Sequence, residues 1–299
     1  MRTDGPVVIA LDGLEHSRHT LAWGLAEAQR RGAPVVLARA WFEPHLQSSW
    51  GWYPPVDDLA LDTEAREYLA REAAHVRAAM PRLDVTAQLL HGPAVPALQA
   101  LSEDAQLLVV GARRPAGHGG PGRVSGHLAA HARCPVVLVR AADASLRPDA
   151  PVVVGVDGSP SSLAAADLAA REAVLRDCPL ALVHVRPTIA SPYGRGSVVL
   201  PPLSAWDTED PAHTAAQGLV DRLRERHPGL DARLVLIDDD PARALADRSR
   251  TAALLVVGSR GLGAFRGMLL GAVSNDVVRS APGTVLVVHG MEPAESLAA

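Results

Sequence analysis

Between Gly258 and Ser274 the chain reads GSRGLGAFRGMLLGAVS, with Gly258, Gly261 and Gly271 in the spacing G-x2-G-x9-G. An anion carrying several phosphates needs many donors pointing at it. Glycines let backbone N–H groups approach such an anion with no Cβ in the way. A helix N-terminus adds N–H groups without partners and a partial positive charge. On this reading Gly258 and Gly261 shape a loop, Gly271 opens the next helix, and the residues between them wrap the phosphates. Arg260 or Arg266 adds charge, and Ser274 offers a hydroxyl near the helix start. Asp157, far earlier in the chain, offers a carboxylate that accepts from ribose hydroxyls or adenine. Read alone, a three-glycine loop is equally the mark of a plain connection between a strand and a helix.

Those residues must be brought together by the elements around them, and the chain states those elements twice. PVVIALDGLEHS (6–17) is repeated as PVVVGVDGSPSS (151–162), so that Asp12 falls on Asp157 and Gly13 on Gly158. GAPVVLARAW (32–41) falls on DCPLALVHVR (177–186), QLLVVGARR (106–114) on ALLVVGSRG (253–261), and CPVVLV (134–139) on GTVLVV (283–288). Order and spacing agree throughout, which marks a tandem duplication. The seam lies near ADASLRPDAP (142–151), giving domains of residues 1–142 and 150–290.

Each half alternates strand and helix. Continuous apolar runs such as VVVGV and LLVV suit strands buried on both faces. After the first strand of the second half, Ser159 and Ser161 offer N-cap oxygens and Pro160 suits a first helical turn. Alternation of this kind predicts a parallel five-stranded sheet per half, covered by right-handed crossovers. The fold class is α/β: two tandem flavodoxin-like (Rossmann-like) doubly wound domains. Such sheets hold ligands beyond the strand C-termini, where the winding direction reverses. If the first and fourth strands flank that point, Asp157 and Gly258 meet in one crevice.

At this point the sequence resembles a family. VVVGVDGSPSS, LVHV, LLVVGSRGLGAFRGMLLGAVS and the closing TVLVV strand are similar to universal stress protein domains, in two copies covering nearly the whole chain. Nucleotide-binding members carry G-x2-G-x9-G followed by Ser or Thr. Gly258, Gly261 and Gly271 match; Ala272 stands where that hydroxyl residue would be, with Val273 and Ser274 next to it. The resemblance implies that Gly155 and Asp157 line an adenosine site and that Val185 touches adenine through its backbone. It implies ATP as ligand, with or without Mg2+, and homodimers or an intramolecular pseudo-dimer. It further implies a regulatory role in stress or dormancy, exerted on an unidentified protein partner. The first half departs from the pattern. In GARRPAGHGGPGRVS (111–125), Gly111 and Gly122 align with Gly258 and Gly271, Arg114 replaces the middle glycine, and Arg123 takes the hydroxyl position. Nucleotide is therefore expected mainly in the second half.

Other readings of the chain are plainer. His184 reads as a core histidine, and His118, His127 and His131 as surface residues without a metal-ligand pattern. Asp238, Asp239 and Asp240 read as a strand end, with Asp240 capping a helix that begins at Pro241. Trp50, Trp52 and Tyr53 read as local packing over the sheet end. The closing strands LVR and LVVHG read as sheet edges that could pair and join the halves. No nucleophile elbow, HExxH or Ser-His-Asp set is present. Two rival functions stay open: a ligand-independent dimerisation scaffold of the same fold, and a weak ATPase or other nucleotide-using enzyme.

Composition narrows the field. All 29 basic residues are arginine, so a Walker-type loop, which needs lysine, and lysine Schiff-base chemistry are both excluded. The net charge of −4 is spread along the chain with no basic patch, which argues against nucleic acid. Cys134 and Cys178 are too few for a disulfide framework and suit a reducing compartment. No apolar run approaches the length of a membrane span, and the N-terminus lacks a secretory pattern. A cytoplasmic location is the resulting expectation.

Overall fold

The computed structural model describes residues 4–14, 17–41, 58–112, 123–140, 149–187, 211–262 and 270–289. These fall into two compact units, one ending at Val139 and the other starting at Arg140. The first unit runs β1 (Val7–Ala10), α1 (Ser17–Arg31), β2 (Val35–Trp41), α2 (Asp58–Ala79), β3 (Val85–His91), α3 (Ala94–Leu101), β4 (Leu107–Gly111), α4 (Arg123–His131) and β5 (Val136–Val139). The second runs β6 (Val152–Gly155), α5 (Pro160–Arg176), β7 (Leu180–Pro187), α6 (Pro211–Arg226), β8 (Ala232–Asp239), α7 (Pro241–Arg248), β9 (Leu254–Gly258), α8 (Ala272–Ser280) and β10 (Val285–Val288). The α/β plan expected from the alternating pattern is therefore present in both halves. The aromatic loop at Trp50, Trp52 and Tyr53 lies outside the described residues, as do Arg114, His118, Gly122 and Arg266.

Within the first unit the strand order is β3-β2-β1-β4-β5, and within the second it is β8-β7-β6-β9-β10. The pairings are parallel, with Val7 opposite both Val35 and Leu107, and Val152 opposite both Leu180 and Leu254. Of the two common doubly wound orders this is the Rossmann one, in which the first and fourth strands are neighbours. The chain winds one way through its first three strands, returns past the first, and continues on the other side. The reversal lies between β1 and β4 in one unit and between β6 and β9 in the other.

Burial follows the sequence pattern. The runs VVIA, LLVV, VVLV, LLVVG and VLVV are buried almost throughout, as strands covered on both faces must be. β3 and β8, outermost on one side of their units, mix buried with exposed positions.

The duplication extends to details that alignment of strands alone does not demand. Arg77 on α2 donates through Nε and Nη2 to the carbonyl of Val85, at 3.1 and 2.6 Å. Arg224 on α6 does the same to Ala232, at 3.0 and 2.6 Å. Glu27 and Glu172 are both buried and both paired with an arginine one helical turn on, Arg31 and Arg176. The first helix of each repeat ends in the left-handed region, at Gly32 (φ +60°) and at Asp177 (φ +51°). Glycine adopts that conformation without cost, whereas a Cβ crowds the following carbonyl. Asp177→Gly is accordingly expected to raise stability by about 0.5–1 kcal/mol, read as a higher urea midpoint at unchanged m-value.

Candidate functional site

β6 ends at Gly155, and the chain turns through Val156, Asp157 and Gly158 into α5. Ser159 is the N-cap of that helix, its side chain accepting from Ser162 N. Ser161, expected as a second capping oxygen, does something else. Its hydroxyl donates to the carbonyl of Arg260, and the Ser159 hydroxyl reaches the same carbonyl at 3.2 Å. The start of α5 is thus fastened to the loop that leaves β9. The run SPSS carried the cap signal, but nothing in it signalled a partner nearly a hundred positions away.

The Asp157 carboxylate makes the second fastening. One oxygen accepts from Ser159 N at 2.9 Å, and the other accepts from Leu262 N at 3.0 Å, across the crevice. Burial pushes the pKa of this carboxyl up, but hydrogen bonds from Ser159, Leu262 and Ser162 together outweigh it and hold the pKa below the ordinary aspartate value. Asp157 is therefore an anion tied to both sides of the β6/β9 junction. An ionised carboxylate has about four acceptor sites; the two backbone N–H groups take two of them, and the Ser159 and Ser162 hydroxyls contribute to the rest.

Each glycine of the motif is closely approached by neighbours within the chain. A Cβ on Gly258 would stand 2.7 Å from Ser161 Oγ and 2.8 Å from the Ser161 carbonyl carbon. On Gly261 it would stand 2.7 Å from Asp157 Oδ2. On Gly271 it would meet Gly261 N at 3.3 Å and Arg260 Cα at 3.5 Å, because the loop folds back there and Gly271 N donates to Ser259 O at 2.7 Å.

Gly271 is also the N-cap of α8 and brings no side chain to that end. The N–H groups of Ala272, Val273 and Ser274 occupy the first helical turn, where no intrahelical carbonyl faces them. Ser274 is buried, and its hydroxyl donates to Gly258 O at 2.6 Å, joining the first turn of α8 to the end of β9. Arg260 is half-buried in the loop. Leu262 beside it is 73% exposed, an apolar lip on the crevice.

Val185 lies on β7 opposite Ile237 of β8. The β6–β7 ladder stops at Gly155 and Val183, followed by one more bond from Val156 N to Val183 O at 2.9 Å. Val185 therefore stands beyond the ladder, at the C-terminal rim. His184, half-buried, is hydrogen-bonded through Nδ1 to Val156 O at 2.9 Å. Gly155 is placed differently from the others. A Cβ there would meet Leu245 of α7 at 2.8 Å, so its bare Cα admits a helix against the sheet.

The acidic run is committed locally. Asp240 caps α7 by accepting from Arg243 N at 2.8 Å, Asp239 pairs with Arg243, and Asp238 holds Arg186 at 2.7 and 2.8 Å. Among the described residues no cluster of three potential metal ligands occurs, and no helix is long and apolar enough to cross a membrane.

A glycine loop, an ionised carboxylate and a helix N-terminus thus meet where the winding of the second unit's strands reverses, which defines a tandem doubly wound α/β protein with its candidate site at the switch point. The sequence model of the universal stress protein family matches residues 5–140 and 150–289, and the chain belongs to that family. Two universal stress proteins of Mycobacterium tuberculosis are similar to it over nearly their whole length. One is 32% identical over 295 residues, the other 34% over 304; each match covers 95% of this chain and 96% of the relative. A universal stress protein from Archaeoglobus fulgidus shares the fold, with a TM-score of 0.70 at 20% identity over 97% of this chain and 98% of that one.

Two outcomes test this geometry. The Asp157 tie, with its depressed pKa, contributes fully above the ordinary aspartate pKa and is lost as pH falls through the folded value. Asp157→Asn should lower stability by about 1 kcal/mol near neutrality, solvent screening keeping the loss small, and the gap to wild type should close below about pH 4. Urea denaturation across pH measures both. Gly258→Ala should cost about 1–3 kcal/mol even with no ligand present, read by the same denaturation, because the Ser161 backbone cannot retreat from the new methyl.

Proposed function

We propose that this chain is an ATP-binding regulatory module of the stress response, taking the nucleotide in its second repeat with or without Mg2+. The observation that carries the reading is the meeting of Asp157, the Gly258–Leu262 segment and the start of α8 at one switch point. A ribose hydroxyl would take the place of the Ser159 or Ser162 hydroxyl on the Asp157 carboxylate, and Val185 presents strand backbone at the same C-terminal rim. The N–H groups of Ala272, Val273 and Ser274 suit a phosphate tail, as does the backbone loop from Gly258 to Gly261. Arg260 adds charge on that loop. Gly155 serves this site indirectly, by letting α7 close on the sheet.

Occupancy would stiffen the glycine loop and bias an interaction with a regulatory protein partner. A homodimer or intramolecular pseudo-dimer, domains bounded at 1–142 and 150–290, and a cytoplasmic location belong to the same reading and rest on family resemblance and composition.

One observation favours the scaffold reading instead. Gly258 is already required by the Ser161 backbone, Gly261 and Gly271 are closely approached by Asp157 and by the loop backbone, and the Ser274 hydroxyl is already bonded. Calorimetry of the intact protein with ATP and Mg2+ separates the two readings: heat with a stoichiometry of one supports the nucleotide module, and its absence supports the scaffold. Gly261→Arg, which copies Arg114 of the first repeat, puts a side chain on the Asp157 carboxylate. It should weaken ATP binding about tenfold or more while the far-UV spectrum is kept, a loss of about 1.4 kcal/mol in binding. Unchanged affinity would show that the loop is not the cradle.

A further inference from the structure

The two repeats differ sharply at the turn after their first strand. Gly13 and Gly158 are equivalent, and both have positive φ, +78° and +85°. Around Gly158, among the described residues, nothing beyond its chain neighbours lies within 4 Å of where a Cβ would stand. Around Gly13 the same point lies 2.9 Å from Cζ and Nη1 of Arg39 and 3.1 Å from Nη2. A guanidinium is laid directly on that turn. Its Cζ also stands 5.1 Å from the ring centroid of Tyr68, within cation–π range.

This cluster is anchored at its base. Asp12 accepts from Leu14 N at 2.9 Å and from the Ser17 hydroxyl at 2.6 Å, and Ser17 is in turn hydrogen-bonded with Tyr68. Burial and then the Glu72 carboxylate raise the Tyr68 pKa; Ser17 and Arg39 oppose the shift without reversing it. Tyr68 is a neutral phenol at neutral pH, and the Arg39 guanidinium lies against its ring.

The second repeat lacks both parts. Val7 pairs with Val35 and Val152 with Leu180, so Arg39 corresponds to His184. His184 is bonded to Val156 O instead of reaching over Gly158. Tyr68 and Ala215 each precede by nine residues the arginine that clasps the next strand, Arg77 or Arg224, so Tyr68 corresponds to the exposed Ala215.

We propose that Arg39 and Tyr68 form a built-in plug that closes the crevice of the first repeat to the nucleoside end of a ligand. A nucleoside entering there would have to lift a guanidinium off both the Gly13 turn and an aromatic face. The chain then takes up adenosine compounds through the second repeat alone. This rests on the reading that the second crevice accepts a nucleotide, and the test separates the two claims.

Adenosine is the suitable probe because, having no phosphate, it does not engage the altered loop positions Arg114 and Arg123. Equilibrium dialysis of the full chain should give one adenosine site for wild type and two for Arg39→His with Tyr68→Ala, which copies the second repeat. Two sites in wild type, or no gain in a folded variant, overturns the plug. No site in wild type but one in the variant supports the plug and sinks the nucleotide reading of the second repeat. The reciprocal exchange, His184→Arg with Ala215→Tyr, decides the matter if the first variant fails to fold. It should weaken adenosine binding about tenfold or more, and retained affinity overturns the proposal.

Discussion

The hydrogen bond from Leu262 N to the Asp157 carboxylate is the constraint on which the second repeat's site depends. It joins the turn after β6 to the loop after β9, the two segments that diverge at the winding reversal. Without it the sheet would still form, since its strands are apolar and buried, but its C-terminal rim would lack a defined shape. The bond exists because Gly261 has no Cβ, and the carboxylate stays ionised because several donors outweigh its burial. Chemistry and sterics are coupled in one contact. The serine hydroxyls of α5, converging on the Arg260 carbonyl, reinforce it from the same side.

Much of the fold was legible in the sequence. The apolar runs at β6, β9 and β10 have one interpretation in a chain that alternates strands with helices, and duplication supplies a second reading of every element. Strand order was constrained by the expectation that Asp157 and Gly258 meet, and the Rossmann order satisfies it. The site was legible only in part. Asp157 and the glycines could be singled out by the G-x2-G-x9-G spacing and by the recurrence of Asp12 at Asp157 in the repeat. Their internal partners could not, because Leu262 enters through its backbone and a backbone N–H leaves no trace in residue type. The Ser161 assignment failed for a related reason. A serine near a helix start satisfies the capping pattern, and only tertiary contact reveals that its hydroxyl points to another segment. Gly155 illustrates the reverse ambiguity: a glycine at a strand end fits a ligand wall or an approaching helix equally well, and Leu245 decides between them.

The comparison between repeats explains why one chain can hold two versions of one crevice. Their frameworks are held by the same devices, such as the arginine clasps at Arg77 and Arg224 and the buried Glu27 and Glu172. These lie away from the rim. Changes at the rim, such as arginine for histidine at position 39 relative to 184, therefore leave the layers intact. Function can diverge between the copies at little cost to folding.

The crowding of Gly258 against the Ser161 backbone carries a wider implication. A residue held bare by its neighbours is preserved by the mechanics of folding, whatever the pocket contains. In a lineage that stopped using any small molecule, this glycine would survive for reasons of fit. Its presence in a homologue is thus a weaker sign of a working pocket than an uncovered Gly158 turn, which no packing requirement among the described residues keeps clear.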